Sequence, residues 1–198
     1  MIEDRQKILK PFVSEKTFTH SIGVMNEMAK LAAIYILPVE DAKLAGLFHD
    51  IAKDFEAAEA MKYINELKID SKEFEKYSNV YLHGPIGAHV IHELYPEFNP
   101  DVINAVRSHT FYTSDGENNL SWCLHLADVL APTREWLGMK KLRRMVYEGE
   151  LERSSLLLTG WLIEHFNNAK VPISDYLYKT FGRLNAEVKV EENFFERW

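Results

Sequence analysis

Cysteine is all but missing. Cys123 is the single one in 198 residues, which rules out an intrachain disulfide and any thiolate-based zinc site and suits a reducing compartment. A basic excess is also missing: 23 Lys and Arg face 30 Asp and Glu, for a formal charge of -7. The one tight basic cluster, Lys140, Lys141, Arg143 and Arg144, reads as a solvated helix face, so no nucleic-acid partner is expected. No apolar run is long enough to span a bilayer, and Met1 to Lys10 mixes charges of both signs without an apolar core. A cytoplasmic location and no membrane partner are therefore expected. Sustained period-two alternation of β-branched residues, internal repeats and low-complexity stretches are missing too, which points to an all-α fold.

What the chain does have is apolar text in helical register. At 46% hydrophobic and 12% aromatic it can build one substantial core and is short for two, so a single domain over 1–198 is expected. Ser14 is placed to cap a helix running to about Leu37, whose two apolar stripes leave His20 pointing inward, four residues before Val24. Pro38 opens the next helix, where Ala42, Ala45 and Gly46 permit close packing up to His49-Asp50. Shorter outer helices are expected over Glu56 to Leu67 and Ser71 to Tyr77. His83-Gly84-Pro85 is expected to break the chain before a helix from Pro85 to Leu94, leaving His83 near a helix N-terminus, where anions are favoured. Another helix leads to His109-Thr110 and is followed by the polar loop from Thr113 to Asn119, expected as a mobile lid. Asp128 lies inside an apolar helix ended by Pro132. A long apolar helix is expected from about Leu151 to Asn168 and another helix from the cap Ser174. The charged, aromatic tail 188–198 is expected to fray or to dock on a partner, and Phe194, Phe195 and Trp198 could close a homodimer interface, although terminal aromatics alone do not establish one.

His20, His49, Asp50, His83, His109 and Asp128 share one property: each sits in apolar or Gly/Pro-marked text. A buried carboxylate is costly without a cation, and no Lys or Arg neighbours Asp128 in sequence, so a metal is the expected partner. Imidazole and carboxylate together suit Fe, Mn, Zn or Ni. His109 or His83 would neutralise charge on a phosphate or protonate the leaving group, or complete a second metal site; Lys53, three residues past Asp50, and Arg134, six past Asp128, would hold phosphates. His125 shares the face of Asp128 and is assigned a packing or supporting role. His89 and His92 are assigned to a solvated face.

Five ordered blocks, Thr19-His20-Ser-Ile-Gly, Ala45-Gly-Leu-Phe-His-Asp-Ile-Ala-Lys53, Leu82-His-Gly-Pro-Ile-Gly-Ala88, Arg107-Ser-His-Thr110 and Leu126-Ala-Asp-Val-Leu-Ala-Pro-Thr-Arg134, resemble the HD-domain phosphohydrolases of the YqeK type. The match spans about residues 14 to 185. The resemblance implies a compact HD-type helical bundle and symmetrical cleavage of a small nucleotide substrate, diadenosine tetraphosphate, to two ADP, with iron as the usual metal. It implies His20, His49, Asp50 and Asp128 as metal ligands, with Asp50, His83 and His109 at the reaction. Lys53, His83, His109, Thr110 and Arg134 would then meet the phosphates, and Pro172-Ile173 the nucleoside. Phe111 to Ser114 and Ala131 depart from the family pattern and touch the substrate rim. Lys53 stands where guanosine-tetraphosphate hydrolases carry Glu, and the His-His-Glu and Gly-Tyr-Pro blocks of cyclic-di-GMP phosphodiesterases are missing. A metal-bearing nucleotide sensor and a hydrolase of another nucleotide are the alternatives.

Overall fold

Ten α-helices and one 3-10 turn make up the ordered elements of the computed structural model, which describes residues 2–113, 118–132, 134 and 137–197. In chain order they are α1 (Ile2–Leu9), the turn Lys10–Phe12, α2 (Glu15–Ile34), α3 (Val39–Phe48), α4 (Ala57–Glu66) and α5 (Ser71–Leu94). They continue as α6 (Pro100–Ser108), α7 (Asn119–Leu130), α8 (Met139–Tyr147), α9 (Leu151–Ala169) and α10 (Asp175–Glu187). No strand occurs among the described residues, and none of their helices is long and apolar enough to cross a membrane.

The caps follow local chemistry. Ser14, Asn99, Asn118 and Ser174 each accept a backbone N–H of the first turn of the helix they open, satisfying donors that a helix start leaves unpaired. α2 buries Val24, Met28 and Leu31 on one side and Met25 on another, so it serves both apolar cores. α3 and α6 are shared in the same way: Ala45 and Val102 belong to the core beneath α7, α8 and α9, whereas Phe48 and Val106 belong to the core beneath α4 and α5. Gly46 lets α3 lie against α2. A Cβ there would stand 2.8 Å from Met25 Cα and 2.9 Å from Met25 N, closer than packed atoms tolerate.

Two expectations are corrected. α5 does not break at His83-Gly84-Pro85 but runs through it, with Pro85 inside the helix, so the separate helices expected at 71–77 and 85–94 are one. Pro85 has no N–H for the Tyr81 carbonyl one turn back. The Thr110 hydroxyl supplies the missing hydrogen bond at 2.6 Å, from the end of α6. His83 therefore lies mid-helix, not at a helix N-terminus, and the anion-binding argument from that position falls. The tail, secondly, docks on its own chain. Phe194 is buried in the α7–α9 core, Trp161 Nε1 donates to the Phe195 carbonyl at 2.9 Å, and Lys141 Nζ reaches the Phe194 and Glu196 carbonyls. Residues 114–117 of the expected lid, and Trp198, lie outside the described residues.

Candidate metal centre and active site

Five elements deliver the six residues to one place. His20 comes from the middle of α2, His49-Asp50 from the turn that closes α3, His83 from α5, His109 from the end of α6 and Asp128 from α7. The turn after α3 is fixed from two sides. Asn79 on α5 donates to the carbonyls of Ala52 and Lys53 at 3.0 and 2.8 Å, and Asp54 accepts the Ser14 N–H at 2.8 Å. His49 and Asp50 are all but inaccessible, at 0% and 1% exposure, and His20, His83 and His109 are buried.

The ring nitrogens carry the chemical information. His49 Nδ1 meets the Gly46 carbonyl at 2.9 Å, His83 Nδ1 the Asn79 carbonyl at 2.6 Å, and His109 Nδ1 the Val106 carbonyl at 2.7 Å. A carbonyl only accepts, so each Nδ1 holds the proton and, in the neutral ring, each Nε2 is a bare lone pair. Those three lone pairs converge on Asp50, itself an acceptor. His49 Nε2 lies 3.2 Å from Asp50 Oδ2, His83 Nε2 lies 3.1 Å from Asp50 Oδ1, and His109 Nε2 lies 3.6 Å from the same oxygen. His83 Nε2 and His109 Nε2 are 3.1 Å apart. His49 Nε2 and Asp50 Oδ1 are buried without a hydrogen bond among the described residues. Acceptors gathered this closely repel unless a cation lies among them. The donor atoms form two groups that share Asp50, one with His20 and His49 and one with His83 and His109, each compact enough for one metal ion. Imidazoles held through Nδ1 by carbonyls are the usual arrangement of metal-binding histidines.

Protein cations cover the outer edge of the carboxylates. Lys53 Nζ reaches Asp50 Oδ2 at 2.7 Å, and Arg134 donates to Asp128 Oδ1 at 2.9 Å, the oxygen that also takes His20 Nε2 at 2.8 Å. Asp128 thus finds its cation six residues on, beyond Pro132, where adjacency in sequence did not show it. Burial opposes ionisation of Asp50; the imidazoles of His49, His109 and His83 outweigh it and hold the carboxyl well below its usual range only where they carry a proton on Nε2, and with neutral rings a cation among them takes that part. Asp128 is also held low: burial opposes, and the His20 hydrogen bond with the Arg134 charge prevails. Burial pushes His109 down, against the pull of Asp50.

A cavity of about 560 Å³ opens from this cluster. Its lining includes the polar side chains of Lys53, His83, His109, Asp128 and Arg134 and the apolar ones of Phe55, Val80, Tyr81, Leu158, Leu162 and Phe166. Thr110 lines it too, although its hydroxyl proton is committed to Tyr81. Pro172 and Ile173 are not among the lining residues. Tyr81, which does line the cavity, donates its hydroxyl to the Pro172 carbonyl at 2.9 Å. His125 packs against the site: its Nδ1 donates to the His109 carbonyl at 3.0 Å and its ring stacks on Phe111 at 4.0 Å. Burial, then the neighbouring His109, drives its pKa down to about 3. Sequence reasoning passed over Asn79 and Tyr81, and read Ser174 as a helix cap but not as the donor to the Phe111 carbonyl. Only Asn79 carried a local signal, a polar residue one helical turn before His83.

Residues 17–133 match the model of the HD domain. The chain is 34% identical to the symmetrical bis(5'-nucleosyl)-tetraphosphatase of Halalkalibacterium halodurans over 69% of this chain and 72% of that protein. It is 27% identical to the protein of the same name from Bacillus subtilis over 72% of this chain and 76% of the relative. A crystal structure of a predicted HD superfamily hydrolase involved in NAD metabolism from Clostridium acetobutylicum superposes with a TM-score of 0.85. At 24% identity, and covering 95% of this chain and 98% of that one, it supports the fold. The acceptor cluster, the helical frame around it and these likenesses agree: the chain belongs to the HD-domain family of hydrolases, beside relatives named symmetrical bis(5'-nucleosyl)-tetraphosphatase.

Proposed function

We propose that the protein hydrolyses diadenosine tetraphosphate symmetrically, using one water to break the central phosphoanhydride and release two ADP. The observation that carries this reading is the convergence of three imidazole lone pairs and an ionised carboxylate with no proton donor between them. His20, His49, Asp50 and Asp128 would hold one divalent cation, and Asp50, His83 and His109 a second. Mixed nitrogen and oxygen donors favour Fe(II) or Mn(II) over metals that seek thiolates. Such cations supply Lewis acidity toward a phosphoryl oxygen and acidify water.

The remaining residues bind and orient. Lys53, about one-third exposed, lines the cavity beside Asp50, where the tetraphosphate would lie. Arg134 uses one guanidinium nitrogen on Asp128, while its Nε has no partner among the described residues and is a further donor for a phosphate oxygen. His83 and His109 present lone pairs to Asp50 rather than protons to a leaving group, which favours ligation over acid catalysis. The ADP leaving group is a stable phosphate anion and needs no strong acid. The apolar lining residues Tyr81, Leu162 and Phe166 suit one adenosine. On this reading the nucleoside lies against Tyr81, with Pro172 and Ile173 outside the cavity lining. The relatives' names support this substrate.

Chromatography of products after incubation with diadenosine tetraphosphate and Fe(II) or Mn(II) tests the reading. ADP alone, lost with chelator and in Asp50→Ala, is expected. AMP with ATP, or turnover that survives chelation, would overturn it.

A further inference from the structure

Each of the three residues that follow α6 is held by a different element. The His109 carbonyl accepts from His125 on α7 at 3.0 Å, and the Thr110 hydroxyl donates to the Tyr81 carbonyl on α5 at 2.6 Å. The Phe111 carbonyl accepts from Ser174, the cap of α10, at 2.6 Å. The Thr110 contact bears on both histidines of the second group. Pro85 deprives the Tyr81 carbonyl of its helical donor, so the carbonyl turns to Thr110. Gly84 makes the approach possible: a Cβ there would stand 2.6 Å from Thr110 Oγ1 and 2.9 Å from the Arg107 carbonyl. Gly84 follows His83 and Thr110 follows His109. The interlock of the two backbones therefore lies one residue beyond each ring, and the rings meet with their Nε2 atoms 3.1 Å apart.

We propose that Thr110 is a positioning residue, which by tying the end of α6 to the Tyr81 carbonyl sets His109 against His83 and so fixes the affinity for the second cation. The proposal rests on the reading that Asp50, His83 and His109 hold a cation. It replaces the expected role of Thr110 as a phosphate contact. A hydroxyl has one proton to give, and here the Tyr81 carbonyl takes it; what remains are lone pairs, which an ionised phosphate does not seek.

The test is titration of metal-free protein with Mn(II), without nucleotide, read by calorimetry. Wild type is expected to bind two equivalents. Thr110→Val keeps the first and binds the second about 10–100-fold more weakly, the usual effect of losing a group that orients a metal-binding residue. Thr110→Ser keeps the hydroxyl and restores the second equivalent. Pro85→Ala combined with Thr110→Val returns an N–H to the Tyr81 carbonyl. This pair recovers thermal stability and leaves the second equivalent weak, and it carries the test if Thr110→Val alone does not fold. In hydrolysis, the expected signature is a fall in kcat with little change in KM, because the phosphates are bound elsewhere. Wild-type affinity for both equivalents in Thr110→Val would overturn the proposal and leave the functional reading standing, as would a second site rescued by Pro85→Ala. A phosphate contact would instead leave Mn(II) binding intact and raise KM. A wild-type protein that binds one equivalent would overturn the two-cation reading and this proposal together.

Discussion

Gly46→Ala is expected to separate two of the helices that build the candidate metal centre. The new Cβ would lie 2.8 Å from Met25 Cα, 2.9 Å from Met25 N and 3.0 Å from the Val24 carbonyl, all of them backbone atoms that no rotamer change can move. Ordinary contact begins near 3.4 Å, so α3 must retreat from α2 by roughly half an ångström. Ala favours a helix over Gly by about 0.5–1 kcal/mol, while overpacking a close helix contact costs about 1–3 kcal/mol. Gly182, inside α10 with no atom within 4 Å of its would-be Cβ, isolates the first effect. The difference between Gly182→Ala and Gly46→Ala should therefore be about 1–3 kcal/mol, or roughly 2–12 °C in Tm for a chain of this size. Urea denaturation of the metal-free proteins reads it directly. Because α2 carries His20 and α3 leads into His49, Gly46→Ala should also weaken the first Mn(II) equivalent, by about tenfold. If Gly46→Ala is stabilised as much as Gly182→Ala and binds Mn(II) like wild type, the close α2–α3 packing does not set the His20–His49 geometry.

Acid should destabilise the metal-free protein through His125. Its imidazole is neutral in the folded state, with a pKa of about 3 against 6.5 for a free ring, so the stability it contributes is complete above about pH 6.5 and is lost as pH falls toward 3. Between pH 7 and 5 this group alone removes about 2 kcal/mol. Denaturant titrations should therefore show a flatter pH dependence in His125→Phe, and identical slopes would refute the assignment. Lys53→Ala should raise KM for the dinucleotide by roughly ten- to a hundredfold, as expected for a lost charge-assisted contact, while Mn(II) still binds. An unchanged KM would confine Lys53 to balancing the charge of Asp50.

The residues of the site were legible because each broke a rule of its local text. Histidines and carboxylates set in apolar helices require a reason, and His20, His49, Asp50, His83, His109 and Asp128 do converge. Helix starts at Ser14 and Ser174 were legible from capping chemistry, which acts over three residues. What escaped was settled by partners distant in sequence. Pro85 reads as a helix breaker until Thr110 supplies the hydrogen bond that it removes. Asp128 reads as uncompensated until the chain turns at Pro132 and brings Arg134 back. The aromatic tail reads as loose until Trp161, Lys141 and the α7–α9 core receive it. Tyr81 lines the cavity and bonds the Pro172 carbonyl, a partner that no local pattern names.

The most direct test of the account is anomalous diffraction from crystals of the protein grown with Mn(II). Two peaks are expected, one among His20, His49, Asp50 and Asp128 and one among Asp50, His83 and His109, with the Asp50 carboxylate between them. Crystals with no peak at either group, in which the imidazoles pair with Asp50 through protons, would contradict the assignment of this cluster as a metal centre.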